Sequence, residues 1–326
     1  MKHLSKSECS QIIRRLKRLP APILYGGRAI ELAVAWRLLA IKLACRKVLS
    51  FTDILRPAFL SPTTQNPAMI RIRDNVCNAY VIDWIERSVS AEYDGVEIYG
   101  KLVSPPTMNG RGWADFLVLF NQVIMQDQYH SKELLKADSV VIDGGANIGL
   151  FSLVASHLAP KGKVYAFEPA KVTSAALKRN TKDCHNVEVL ELALGDRRRR
   201  AEMIVHEGCL SGSTISDSVM ALIGAEKGDL VPEEVSITTI DDFVAERRLE
   251  KLDFIKVDAE GYEKQILLGA RETIRRLRPI LAVSAYHFPN DKTDIATLVE
   301  GTSPDYTHRC SSRAEEDLIF LPKSGS

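Results

Sequence analysis

The ten residues Val140-Val141-Ile142-Asp143-Gly144-Gly145-Ala146-Asn147-Ile148-Gly149 limit the folds open to this chain more than any other stretch. Three β-branched apolar residues read as a buried strand, and the lack of bulk after them reads as a tight turn. The apolar run from Leu150 to Ala159 then reads as a helix. Strand, glycine turn and helix in that order open a parallel sheet, and at the strand's carboxyl end the backbone can approach a ligand closely. The rhythm continues with strand Lys163 to Phe167, helix Ala175 to Thr181 and strand Val187 to Leu190. It resumes with strand Asp253 to Val257, helix Tyr262 to Arg276, strand Ile280 to Ser284, a helix near Thr293 to Glu300, and strands around Tyr306 and Leu318 to Leu321. In between, Ala201 to His206 and Val235 to Thr238 break the alternation and are expected to form an antiparallel insertion. The expected fold class is α/β, doubly wound around a mostly parallel sheet.

The dinucleotide pattern G-x-G-x-x-G fails in this turn: counted from Gly145 the third position is Asn147, and from Gly144 it is Ala146. A pyrophosphate cradle, and with it an NAD-dependent oxidoreductase, is disfavoured. An acid followed by small residues at alternate positions, Asp143, Gly145, Asn147 and Gly149, suits a cofactor with a cationic sulfonium and an amino-acid tail. The second strand ends at Phe167-Glu168-Pro169, 25 residues past Asp143, where a carboxylate can accept both hydroxyls of a ribose. The plainer alternative, Asp143 capping the next helix, explains the turn but not Glu168.

The chain balances 43 basic against 42 acidic side chains, so no whole-molecule field draws it to nucleic acid. Its six cysteines lie far apart with no C-x-x-C pair, and read as thiols in a reducing cytoplasm. The most apolar window, Ala29 to Ala44, is interrupted by Glu31, Arg37 and Lys42 and falls short of the roughly 20 residues a bilayer requires. Neither membrane insertion nor a secretory signal is expected. Pro105, Pro106, Gly110 and Gly112 cluster as a linker, giving an N-terminal module over residues 1–112 and a second domain over 113–326.

On these motifs the sequence resembles the FkbM-type methyltransferases. The likeness is carried by Val141 to Gly149, Ala166-Phe167-Glu168-Pro169, Ala193-Leu194-Gly195-Asp196, Thr239-Ile240-Asp241-Asp242, and above all Asp253-Phe254-Ile255-Lys256-Val257-Asp258-Ala259-Glu260-Gly261-Tyr262-Glu263. The resemblance implies a class I Rossmann-like methyltransferase fold with a seven-stranded sheet. It also implies S-adenosyl-L-methionine as cofactor, and often methylation of a hydroxyl on a sugar, glycan or secondary metabolite. The expected cofactor-binding residues are Asp143, Gly144, Gly145, Ala146, Asn147, Gly149, Glu168 and Pro169. The N-terminal module is similar to a small Rossmann-like unit found ahead of some members. There Tyr25-Gly26-Gly27-Arg28-Ala29-Ile30-Glu31 departs from Tyr-Gly-x-Gly-x-x-Gly at Arg28 and Glu31. A structural or partner-docking use of the module is expected ahead of nucleotide binding.

Strand alternation puts Phe254, Lys256 and Asp258 on one face and Ile255 and Val257 on the other, and a lysine in so apolar a strand needs a partner. Methyl transfer to a hydroxyl requires alignment and uptake of a proton. Asp258, Glu260 and His287, near the carboxyl ends of two strands, are the candidate bases. Their plainer roles are an ion pair or helix cap for Asp258, a first-turn acid for Glu260, and a satisfied polar residue for His287. Asp258, Glu260 and Asp143 have the hardness of divalent-cation ligands, but their spacing does not demand a metal, and none is expected. The loop Gly208 to Thr214 reads equally as a lid or a hairpin loop, and Arg197 to Arg200 as a solvated turn. Competing functions are a scaffold that retains the fold, and a nucleic-acid methyltransferase. The latter is weakened by Asp258-Ala259-Glu260-Gly261 standing where an Asn/Asp-Pro-Pro-Tyr motif would lie.

Overall fold

A computed structural model describes residues 96–103, 116, 118–206, 213–215, 230–311 and 317–323, all within the compact unit Val89–Ser326. The expectations for residues 1–95, the linker residues 104–112 and the loop residues 208–212 lie outside the described residues.

The first elements are a short antiparallel pair, β1 (Val96–Ile98) and β2 (Lys101–Val103). A π-helical turn, Asn121–Met125, and the short helix α1 (Ser131–Leu134) follow. Then comes the alternation read from the sequence: β3 (Val140–Gly144), α2 (Leu150–Leu158), β4 (Lys163–Phe167), α3 (Lys171–Thr181) and β5 (Val187–Leu190). After the insertion come α4 (Ile240–Glu246), β9 (Phe254–Val257), α5 (Glu263–Leu268), α6 (Arg271–Leu277), β10 (Ile280–Ser284), α7 (Asp291–Thr302), β11 (Tyr306–Cys310) and β12 (Asp317–Pro322). Among the described residues seven strands form one sheet in the order β11-β12-β10-β9-β3-β4-β5. Its strands β5, β4, β3, β9 and β10 run parallel, whereas β12 pairs antiparallel with both β10 and β11.

The sheet's two faces differ in chemistry. Ile142, Ile255, Val257, Leu281 and Val283 form one core with Ile240, Phe243, Val244, Ile266, Leu267, Ile274, Ile295 and Val299 of α4 to α7. Each such side chain, fully removed from water, contributes about 1.5–3 kcal/mol. On the other face Phe254 stacks on Phe151 of α2 at 5.9 Å between ring centroids. Next to that pair, Asp143 and Lys256 are register partners on β3 and β9.

The insertion is a three-stranded sheet, one strand more than expected. β7 (Arg199–His206) runs antiparallel to β8 (Leu230–Thr238), and β6 (Ala193–Leu194) lies parallel on β8's other edge. The arginine run is correspondingly not all turn, because Arg199 and Arg200 belong to β7. Arg198 pairs with Asp242 and Glu246, Arg200 with Glu234 at 3.0 Å, and Arg199 donates to the Tyr262 hydroxyl at 2.6 Å.

The expected single helix Tyr262 to Arg276 is two helices. At the break a Cβ on Gly269 would lie 2.0 Å from the Gly195 carbonyl oxygen, so the chain passes too close to another backbone for any side chain. The second helix starts on a borrowed cap: the Asp241 carboxylate accepts from the backbone N–H of Thr273 at 2.7 Å and of Glu272 at 3.1 Å. Thr239 caps α4 locally, its hydroxyl accepting from Asp242 N–H at 2.9 Å. α3 starts a turn earlier than read, at Lys171.

Candidate active site

β3 ends in a carboxylate that the structure buries completely. Lys256 Nζ lies 3.2 Å from Asp143 Oδ1, and Ser152 on α2 donates to Oδ2 at 2.6 Å. The same ammonium donates to the carbonyl oxygens of Gly145 at 2.7 Å and Gly144 at 3.3 Å. Lysine burial alone would lower its pKa, but the carboxylates of Asp143, Asp258 and Glu168 outweigh this and the net shift is upward. The strand-centre lysine therefore keeps its charge and ties Asp143 to the turn. Both Asp143 oxygens face protein groups, Lys256 and Ser152.

Gly145, Asn147 and Gly149 all adopt left-handed backbone, with φ of 73°, 52° and 93°. At Gly145 a Cβ would fall 1.9 Å from the Asp258 carbonyl oxygen, so only glycine lets the turn lie against the end of β9. Asn147 tolerates this region through a local bond, its Oδ1 accepting from Ile148 N–H at 2.7 Å. Gly145 and Ala146 N–H both donate to Phe167 O, at 3.1 and 2.9 Å, joining the turn to β4. Ala146 packs with Ala166 and Leu177 beneath it.

Glu168 links the turns after β3 and β4. Its Oε2 accepts from Asn147 N–H at 2.8 Å, and its Oε1 from Ala170 N–H at 3.1 Å and the Thr173 hydroxyl at 2.7 Å. Burial dominates and raises its pKa despite these donors. Pro169 follows it, and Ala170 is the N-cap of α3. The buried Glu168 carboxylate thus joins two backbone turns at the sheet's carboxyl edge, with three of its acceptor positions taken by protein donors.

Beyond β9, Asp258 accepts from the Tyr129 hydroxyl at 2.7 Å on Oδ2, with the Tyr286 hydroxyl 3.4 Å from Oδ1. Burial would raise its pKa, but Lys256, His287 and the hydroxyls of Tyr129 and Ser284 hold it below the usual carboxylate range. Glu260 sits at a left-handed φ of 49°, and its carbonyl accepts from the Thr214 hydroxyl at 2.8 Å. His287 lies between Glu260 (Nε2 to Oε2, 3.4 Å) and Glu263 (Nδ1 to Oε1, 3.4 Å). Glu263 Oε1 also accepts from the N–H groups of Ala259 at 2.8 Å and Gly261 at 3.2 Å. Asp258, Glu263 and His287 bring one ligand atom each within 4.8 Å of one another, a cluster of two carboxylates and an imidazole.

Burial lowers the His287 pKa, but Glu260, Glu263 and Asp258 outweigh it and push the imidazole up to about 11. This group carries its proton at neutral pH. Because the folded value exceeds the unfolded one of about 6.5, its stabilisation is complete below pH 6.5 and is lost as pH rises toward 11. Denaturant midpoints measured from pH 6 to 10 are expected to decline across this window in wild type. In His287→Asn the decline should be shallower, and equal slopes would contradict the assignment.

The structure thus gathers Asp143, the Gly144 to Gly149 turn, Glu168 and Asp258 at the carboxyl ends of β3, β4 and β9, with Glu260 and His287 beside Asp258. Sequence reasoning missed Tyr129, Ser152 and Tyr286, which no local motif marks. Glu263 did carry a signal, as the last residue of the motif beginning at Asp253.

This sheet order, with one antiparallel strand and a glycine turn and acid on adjacent strands, defines a class I Rossmann-like methyltransferase. The chain belongs to the FkbM methyltransferase family, the profile of the Methyltransferase FkbM domain matching residues 143–309. It is 31% identical over 217 residues to the 31-O-demethyl-FK506 methyltransferase FkbM of Streptomyces tacrolimicus, covering 59% of this chain and 79% of that one. It is 27% identical over 154 residues to the 2-O-methyltransferase NoeI of Sinorhizobium fredii, covering 44% and 63%. A third match, 29% over 208 residues, is to the AMB antimetabolite synthetase AmbE of Pseudomonas aeruginosa, covering 54% of this chain and only 10% of that one. Among the described residues no helix is long and apolar enough to cross a membrane.

Proposed function

We propose that this chain binds S-adenosyl-L-methionine at the turn after β3 and methylates a hydroxyl of a sugar, glycan or secondary metabolite. The carrying observation is Glu168, a buried carboxylate bonded to both turns at the sheet edge. The names of two relatives, a 31-O-demethyl-FK506 methyltransferase and a 2-O-methyltransferase, support oxygen as the accepting atom. The acceptor is a small molecule or glycan met in the cytoplasm. Residues 1–112 would serve as a docking module.

When bound, the cofactor supplies an electrophilic methyl carbon on a cationic sulfur. Glu168 would hold the ribose end of the cofactor, and the Gly144 to Gly149 backbone, its shape fixed by the Asp143–Lys256 pair, would pack against the amino-acid tail. Asp258 orients the acceptor hydroxyl and takes its proton. As the oxygen–carbon bond formed, the carbon–sulfur bond would break with its electron pair passing to sulfur, S-adenosylhomocysteine would leave as the neutral thioether, and the acceptor oxygen would gain positive charge, making its proton far more acidic than that of an alcohol. A carboxylate of depressed pKa therefore suffices if it is in place. His287, already protonated, holds Glu260 and Glu263 and does not act as the base.

Isothermal titration with S-adenosylmethionine and S-adenosylhomocysteine tests the cofactor assignment. Saturable binding is expected, weakened about 10- to 100-fold in Glu168→Gln through loss of charge-assisted hydrogen bonds. No binding to wild type would leave a scaffold that retains the fold. A screen of hydroxylated acceptors with labelled methyl donor then tests the transfer.

A further inference from the structure

We propose that Tyr129 is the positioning residue of the methyl-transfer site: its hydroxyl ties one oxygen of Asp258 and leaves the other facing the acceptor. This inference rests on the proposed transfer and names a group outside its motifs. Tyr129 is buried, with its hydroxyl 2.7 Å from Asp258 Oδ2. Its ring packs edge-on against Phe151 at 5.3 Å and lies 5.5 Å from Lys256 Nζ. One side chain thus touches the turn-fixing lysine and the acceptor-side carboxylate. The opposite oxygen, Oδ1, has the half-exposed Tyr286 hydroxyl at 3.4 Å, a contact long enough for an incoming hydroxyl to replace.

The segment that presents Tyr129 is built to hold it. A π-helical turn precedes it, and π-turns concentrate at functional sites. Asp127 and His130, on either side, take left-handed φ values of 52° and 56°, conformations that persist only where surroundings impose them. Here the Asp127 carboxylate accepts from the Ser131 hydroxyl and from Lys132 N–H. His130 Nε2 lies 3.0 Å from the Ser311 hydroxyl, which itself donates to Gln128 O at 3.2 Å. The loop is anchored to the far end of β11, so Tyr129 arrives at Asp258 on a braced backbone.

Besides Tyr129, the groups that face Asp258 are Lys256 on β9, Glu263 at the start of α5, the Ser284 hydroxyl of β10, and Tyr286 and His287 after it, with Glu260 paired to His287 and with Asp143 and Glu168 acting on Lys256. Removing the Tyr129 hydroxyl leaves all of these in place, so the change in Asp258 reports on Tyr129 alone.

The test follows the carboxyl carbon of Asp258 by NMR in the full chain labelled at aspartate, the resonance being assigned by its loss in Asp258→Asn. Tyr129→Phe should raise the Asp258 midpoint by about one pH unit. A difluorotyrosine at position 129, similar in shape but with a more acidic phenol, should lower it. Equal midpoints in all three proteins would overturn the proposal, because a merely structural ring would not follow phenol acidity. With an acceptor from the screen, Tyr129→Phe should lower kcat about ten-fold with S-adenosylmethionine affinity unchanged, and should have no further effect in Asp258→Asn. Additive losses would also overturn it. If the midpoint shifts but no acceptor is methylated, the proposed transfer fails while the Tyr129–Asp258 link stands.

Discussion

Replacing Asp258 by asparagine is expected to cut methyl transfer by roughly 100- to 10,000-fold, the range a positioned proton acceptor commands. Asparagine keeps the shape and can still accept from the Tyr129 hydroxyl at the position now 2.7 Å away. It cannot take up a proton. S-adenosylmethionine affinity should stay within about three-fold, since the loss falls on the transition state rather than on cofactor binding. Titration calorimetry and initial rates on the same protein separate the two effects. A parallel Glu260→Gln variant sharpens the result: its carboxylate is paired with the His287 imidazolium, so its loss should reduce the rate far less. A larger effect from Glu260→Gln than from Asp258→Asn would move the base to Glu260.

The second large effect is on stability. Lys256→Met removes the only partner that the structure sets beside Asp143 Oδ1 within ion-pairing distance, among the described residues. It leaves a fully buried carboxylate with a single donor, Ser152. Breaking a buried pair from one side costs about 3–5 kcal/mol. In a domain of this size that corresponds to a fall in Tm of about 10 °C. The loss should be markedly non-additive. Asp143→Asn in the Lys256→Met background should recover part of it, because the uncompensated charge is then gone. Thermal unfolding of the four proteins completes the cycle. Full additivity would mean that Lys256 stabilises the turn through the Gly145 carbonyl rather than through Asp143.

Both effects centre on residues whose place in the chain was readable. The alternation of apolar runs predicted the parallel strands, because a strand buried on both faces must be apolar throughout. It placed Lys256 on the face opposite Ile255 and Val257, where the structure puts it. The glycine turn was legible because only glycine or asparagine takes φ above zero cheaply. The break at Gly269 was not legible: its cause is the Gly195 carbonyl, far away in sequence. The insertion's third strand, two residues long, lies below what periodicity can resolve.

By itself, then, the sequence determined which residues stand at the carboxyl edge of the sheet: Asp143 and its turn, Glu168, Asp258, Glu260 and His287. Strand register and turn chemistry are local, and residue order fixes them. Only the tertiary structure decided what each of these groups does. Asp143 is turned inward to Lys256 and Ser152, Glu168 is shared between two turns, and His287 is set between two glutamates that push its pKa up. Asp258 is tied to a tyrosine that precedes it by 129 residues. Protonation and orientation depend on which charges and donors come within a few ångströms, and those neighbours are brought together by the packing of distant segments.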